Sequence, residues 1–175
     1  RLNAPVAAQN GDMVLSAQGD VVFADASATE NMQLASAGNI TLAGRTVAGE
    51  SMALTSEVLA IQAEQVSARH LAVNLGEIRV EEGSALYATE ALSLNGDKLV
   101  NEGEIAGKEL SLTVSSQIKN RGDILADEDM TVTADSVSNS GTIRAGESAE
   151  VQAEGQVVNS GEIVAGGNAV VESVF

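Results

Sequence analysis

Apolar residues recur along this chain in pairs two positions apart, each pair enclosing one residue of different character. One set runs Met13/Leu15, Met32/Leu34, Met52/Leu54, Leu71/Val73, Leu92/Leu94, Leu110/Leu112, Met130/Val132, Ala149/Val151 and Ala169/Val171, at spacings of 18 to 21 residues. Side chains at i and i+2 share one face of a strand, so each pair predicts a short strand with two residues pointing inward. The enclosed residues, Val14, Gln33, Ala53, Ala72, Ser93, Ser111, Thr131, Glu150 and Val170, are then expected to point outward.

A second set follows about eight residues later: Val21/Phe23, Ile40/Leu42, Leu59/Ile61 and Ile78/Val80, then Leu99/Asn101, Ile118/Asn120, Val137/Asn139 and Val157/Asn159. The second inward slot is apolar in the first four turns and Asn in the last four. A third set, Val47/Gly49, Val66/Ala68, Leu86/Ala88, Ile105/Gly107, Ile124/Ala126, Ile143/Ala145 and Ile163/Ala165, places a large residue beside a small one. Gly, Asn, Asp and Ser separate the bursts, which is strand-and-turn chemistry.

Four copies of one phrase carry the period most clearly: LVNEGEIAG at 99–107, IKNRGDILA at 118–126, VSNSGTIRA at 137–145 and VVNSGEIVA at 157–165. Their Asn residues lie 19, 19 and 20 residues apart. An internal period of this length signals a solenoid. One coil cannot bury its own inward face, whereas coils stacked about 4.8 Å apart pair every backbone group and build a continuous apolar column. The expected fold is therefore all-β: a right-handed parallel β-helix of about nine coils of 19–20 residues, with three short strands per coil. The hand follows from the rule for parallel crossovers. Residues 1–175 are expected to form one repeat segment with a change of subtype near Leu99. The absence of a polar cap after Val174-Phe175 is expected of a piece of a longer rod.

Composition sharpens this picture. Aromatic residues make up only 2% of the chain, and there are 17 Gly against one Pro; a narrow aliphatic core with many tight corners fits those numbers better than a globular core does. The net charge is −16, and the nine basic residues are scattered. Nucleic acid and anionic membrane surfaces call for clustered Lys and Arg, so neither is an expected partner. With no Cys, disulfides, thiolate metal sites and a Cys nucleophile are excluded. No apolar run approaches the roughly 18 residues of a membrane-spanning helix, and the start, RLNAPVAAQNGD, lacks the regions of a signal peptide.

The phrases N-x-G-x-I-x-A-G at 139–146 and 159–166, alternating with L-x-L and V-x-A strands, resemble the repeats of filamentous haemagglutinin-type exoproteins. These are secreted by two-partner systems of Gram-negative bacteria, and the group includes adhesins and the stalks of contact-dependent growth inhibition proteins. The resemblance implies a right-handed β-helix, export through an outer-membrane transporter partner, a place on the cell surface and contact with a host or neighbouring-cell receptor. It is strongest from Leu99 to Gly166. The Asn-Pro motifs of that family's secretion domain have no match here, since the single proline follows Ala4, and no toxin domain is expected within residues 1–175.

Few residues offer chemistry. Asn101, Asn120, Asn139 and Asn159 are expected to act structurally, either as an inward amide ladder or by bonding turn backbone beside the following Gly. His70 precedes inward Leu71 and should be a surface residue, with no G-x-S-x-G elbow to accompany it. Asp127-Glu128-Asp129 falls at a turn but lacks the spacing of a calcium loop. GEIAGK at 103–108 has three intervening residues where a phosphate loop has four, and Glu109 stands where Ser or Thr belongs. Asn39-Ile40-Thr41 is a sequon with both polar residues facing out. No catalytic residue, cofactor or metal site is expected. The leading functional reading is a non-enzymatic rod segment of a surface adhesin or contact-dependent effector. The alternative is a polysaccharide lyase or glycosidase, which needs carboxylates held in mutual reach and a cleft that coils of such uniform length leave no insertion to wall. An ice-binding face would require one regular outward column, and the outward residues are mixed.

Overall fold

A computed structural model describes residues 5–174. All the regular structure among them is β, arranged as parallel strands that each pair with the equivalent strand one coil away. The result is a β-solenoid of about nine coils. Taken in order, the first coils consist of short strands: Val6–Ala8, Met13–Ala17, Val21–Phe23, Ala26–Ala28, Met32–Ser36, Ile40–Leu42 and Thr46–Ala48. In the middle coils pairing runs unbroken around the corners, giving Ser51–Ile61, Val66–Val80, Ala85–Asn101 and Glu104–Asn120. Short strands return with Asp123–Ala126, Thr142–Ala145, Ala149–Ala153, Val157–Asn159, Glu162–Ala165 and Ala169–Ser173, while Met130–Asn139 still runs around one corner. Three short strands per coil therefore hold only at the two ends; in the middle, small breaks in register at Ala88/Ala91 and Gly96/Lys98 let one strand turn a corner without losing its partner.

Register along the first face runs Met13, Met32, Met52, Leu71, Leu92, Leu110, Met130, Ala149, Ala169. The second face runs Val21, Ile40, Leu59, Ile78, Leu99, Ile118, Val137, Val157. Along the third face the register corrects one expectation. The inward pair of the third coil is Thr46/Ala48, both buried, and not Val47/Gly49. Val47 lies on the outer surface opposite Ser67. A rule that sends the larger apolar residue inward fails here because Thr46 is satisfied where it sits: its hydroxyl donates to the Gly44 carbonyl at 3.3 Å. The same column continues back through Ala26/Ala28 to Val6/Ala8.

The core is one narrow column of Leu, Ile, Val, Met and Ala running along the axis, with Phe23 as the aromatic at its N-terminal end. Met32, Leu34, Ile40, Leu42, Met52, Leu54, Leu59 and Ile61 are essentially inaccessible. Each such side chain contributes about 1.5–3 kcal/mol relative to an exposed one. No coil could collect that alone, because its inward residues are covered only by the coils above and below.

Candidate functional site

The Asn residues that interrupt the aliphatic second face are brought together inside the solenoid. Asn101 Nδ2 donates to Asn120 Oδ1 at 2.8 Å, Asn120 Nδ2 to Asn139 Oδ1 at 2.8 Å, and Asn139 Nδ2 to Asn159 Oδ1 at 2.7 Å. The first three are buried, while Asn159, in the last described turn of this face, is exposed. The three buried amides also reach backbone. Asn101, Asn120 and Asn139 donate to the carbonyls of Asp123, Thr142 and Glu162, each at 3.0 Å. Asn120 and Asn139 bond in addition to Gly122 and Gly141, two residues further along their own corners.

Corner length separates the Asn coils from the two coils just before them, although Phe23 and Leu42 also precede short corners, 24–25 and 43–45, without an Asn. Between Val80 and Ala85 the corner holds Glu81, Glu82, Gly83 and Ser84, with Ser84 turned inward and buried. From Asn101 onward the equivalent corner has two residues, Glu102-Gly103, Arg121-Gly122, Ser140-Gly141 and Ser160-Gly161. So short a turn brings no residue of its own inward, and the Asn side chain fills the space while bonding carbonyls of the corner. The glycines are required by proximity. A Cβ on Gly122 would sit 2.0 Å from the Gly103 carbonyl oxygen, and one on Gly141 would sit 2.0 Å from that of Gly122. N-x-G is thus one device: Asn bonds the corner, and Gly lets successive corners touch.

Charge is concentrated at the corners. Arg69 pairs with Glu50 at 3.4 Å, and Lys108 stands between Glu90 at 3.9 Å and Glu128 at 3.3 Å. The Lys108 ammonium is held above its ordinary range, first by the hydrogen bond it donates to Glu128 and then by attraction to Glu128 and Glu90. Several carboxylates tie one coil to the next: Asp12, Asp20, Asp25 and Asp129 accept the backbone N–H groups of Asn31, Asn39, Arg45 and Ser148 at 2.8 to 3.1 Å. These inter-coil caps were invisible as a motif: each joins residues 19 or 20 apart, and the residue one period on from the Asp is Asn, Arg or Ser and never a second Asp.

His70 lies exposed on the corner beside Arg69. The Asp127-Glu128-Asp129 stretch is also on that corner line, where Glu128 pairs with Lys108 and Asp129 caps Ser148. Among the described residues, no group of three or more His, Cys, Asp or Glu side chains is placed to hold a metal ion. Nor is any helix there long and apolar enough to cross a membrane. The arrangement holds coils in register and presents flat faces between charged edges. No known protein family, curated protein or solved structure matches the chain.

Proposed function

We propose that this chain is a rigid rod segment of a secreted bacterial surface exoprotein, an adhesin or contact-dependent inhibition stalk, exported through an outer-membrane transporter and working by cell contact. The observation that carries this reading is the unbroken register of inward residues from Met13 to Ala169, coil upon coil. Such a stack spaces what lies at its ends at a fixed distance, about 4.8 Å per coil. Its side chains are engaged in holding coils together, and the uniform coil length leaves faces unwalled, which favours mechanical work over turnover.

The test is to display the chain on the surface of a Gram-negative cell and to measure attachment to target cells, with a variant lacking one repeat of 19 residues, 102–120, as a length control. Attachment that depends on the displayed rod supports the reading. Hydrolysis or elimination of a polysaccharide by the purified chain, abolished by one carboxylate substitution, overturns it in favour of an enzyme.

A further inference from the structure

The outward residues of the first face, from Val14 and Ser16 through Ala53, Thr55, Ala72 and Asn74 to Thr131 and Thr133, include no charged side chain over seven coils. Both edges of this strip are acidic. The corner leading into it, between the third and first faces, carries eight carboxylates over those coils, Glu30, Glu50 and Glu109 among them, against two cations, Arg69 and Lys108. The corner leading out of it carries five over the same seven coils, Asp20, Glu57, Glu77, Asp97 and Asp135, against one cation, Lys98, which pairs with Glu77 at 3.4 Å. Along the strip run two shallow cavities of about 530 and 370 Å³ that share Ala91 and Ser93 and so form one groove. The N-terminal part is floored by Val14, Ala53 and Ala72, with Val14 65% exposed; the C-terminal part is bordered by Glu109 and Asp129.

We propose that this groove docks an amphipathic α-helix from another polypeptide, with a narrow apolar stripe on the floor and Lys or Arg on both flanks. Three features of the surface select that occupant. The backbone groups of the face are spent in the coil-to-coil ladder, so an incoming strand finds no edge to extend, and the occupant must satisfy its own backbone, as a helix does. A helix advances about 5.4 Å per turn, close to the about 4.8 Å between coils, so neighbouring turns meet neighbouring outward residues over two or three coils before the two repeats slip out of phase. Seven coils span about 29 Å, the length of a helix of about 19 residues. Lys and Arg can lay their stems along the floor, apolar at Val14, Ala35, Ala53 and Ala72 and lined by hydroxyl and amide groups from Ser93 to Thr133, and carry their charge to the two acidic edges. A second copy of this chain would set acidic edges against acidic edges, and anionic glycans, nucleic acids and anionic lipid are repelled for the same reason. Neutral glycans lack a Trp or Tyr platform here, since no Phe, Tyr or Trp side chain lines either cavity.

The inference is independent of the rod reading, because a rod with an inert first face would still attach cells. The test titrates the intact chain with a synthetic 19-residue peptide, a Leu/Ala stripe flanked on both sides by Lys, followed by calorimetry and by the circular dichroism of the peptide. Two variants are compared after both are shown to melt as the wild type does: Ala53→Tyr/Ala72→Tyr, which fills the floor without adding charge, and Thr41→Tyr/Ala60→Tyr, the same change on the second face. The expected result is helix formation on binding, at least tenfold weaker affinity for the groove variant, and unchanged affinity for the second-face variant. Equal affinity for both variants, or equal binding of a peptide of the same composition interrupted by Pro, overturns the proposal by showing diffuse attraction to an acidic surface. Self-association lost in Ala53→Tyr/Ala72→Tyr overturns it too, by assigning the face to a second copy.

Discussion

Asn101 and Val80 occupy the same inward slot in adjacent coils, and the Oδ1 of Asn101, wholly buried against that neighbour, has no hydrogen-bond partner among the described residues. Every ladder amide donates toward the C-terminus, so the acceptor at the N-terminal end is the one left over. Such an orphan costs about 1–3 kcal/mol.

Val80→Thr keeps the shape of the side chain and brings a hydroxyl to that acceptor. We expect the variant to be as stable as the wild type or more so, by up to about 1 kcal/mol. Val73→Thr, at an inward slot between Leu54 and Leu94, should lose about 1–3 kcal/mol because its hydroxyl meets only apolar neighbours. Urea denaturation of the two variants checks this; equal losses would show that the Asn101 acceptor is already satisfied.

Within the ladder, loss should follow burial and bond count. Asn120→Leu leaves the Nδ2 of Asn101 and the Oδ1 of Asn139 without their amide partners, and about 1–3 kcal/mol should go. Asn159→Leu, exposed and bonded on one side, should cost less. Replacing all four Asn by Leu should cost less than the sum of the single losses, since sites in contact do not add. Strict additivity of the four single changes would deny that the amides act as a connected ladder.

The faces were legible where large apolar residues mark them. Met13/Leu15 through Leu110/Leu112 read directly from period and alternation, because a residue that fills a narrow core must be both apolar and in phase. The third face was not legible in its first coils: Ala26, Ala28 and Thr46 are inward there, and small or hydroxylated residues carry no such signal. Val47 misled for the complementary reason, being an apolar residue that the register turns outward. Whether the Asn residues faced in or out could not be read from spacing alone. The decision belongs to the bonds that these amides make to one another and to carbonyls of the next corner, which join residues 19 to 23 apart.

Lys108 provides a pH signature. Its ammonium is raised above the ordinary 10.5 on folding, by Glu128 first and Glu90 after it. A group raised in the folded state stabilises that state fully below its unfolded value and loses the contribution as pH climbs through the folded one. The thermal midpoint should therefore drop further between about pH 9 and pH 11.5 in the wild type than in Lys108→Met. Because the lysine faces solvent, that difference should shrink in about 0.5 M salt. Parallel declines in the two proteins would remove Lys108 from the alkaline transition.

Gly122 and Gly19 separate two roles that glycine plays at these corners. A methyl group on Gly122 would meet the Gly103 carbonyl oxygen at 2.0 Å, and that oxygen belongs to backbone held in the stack on both sides. Around Gly19, on a corner near the N-terminal end, an added Cβ meets nothing within 4 Å. Gly122→Ala should accordingly cost about 1–3 kcal/mol, the range for forcing an extra methylene into a packed site. Gly19→Ala should be neutral or stabilising by up to about 1 kcal/mol, because it restricts the unfolded chain without straining the folded one. A double variant, Gly122→Ala/Gly141→Ala, places the two methyl groups on neighbouring coils of the same corner. If the stack relieves the first clash by opening locally, the second is eased, and the combined loss falls short of the sum. Denaturation midpoints of the three Gly variants decide it, and a Gly122→Ala midpoint equal to that of Gly19→Ala would show that the corners are not in contact.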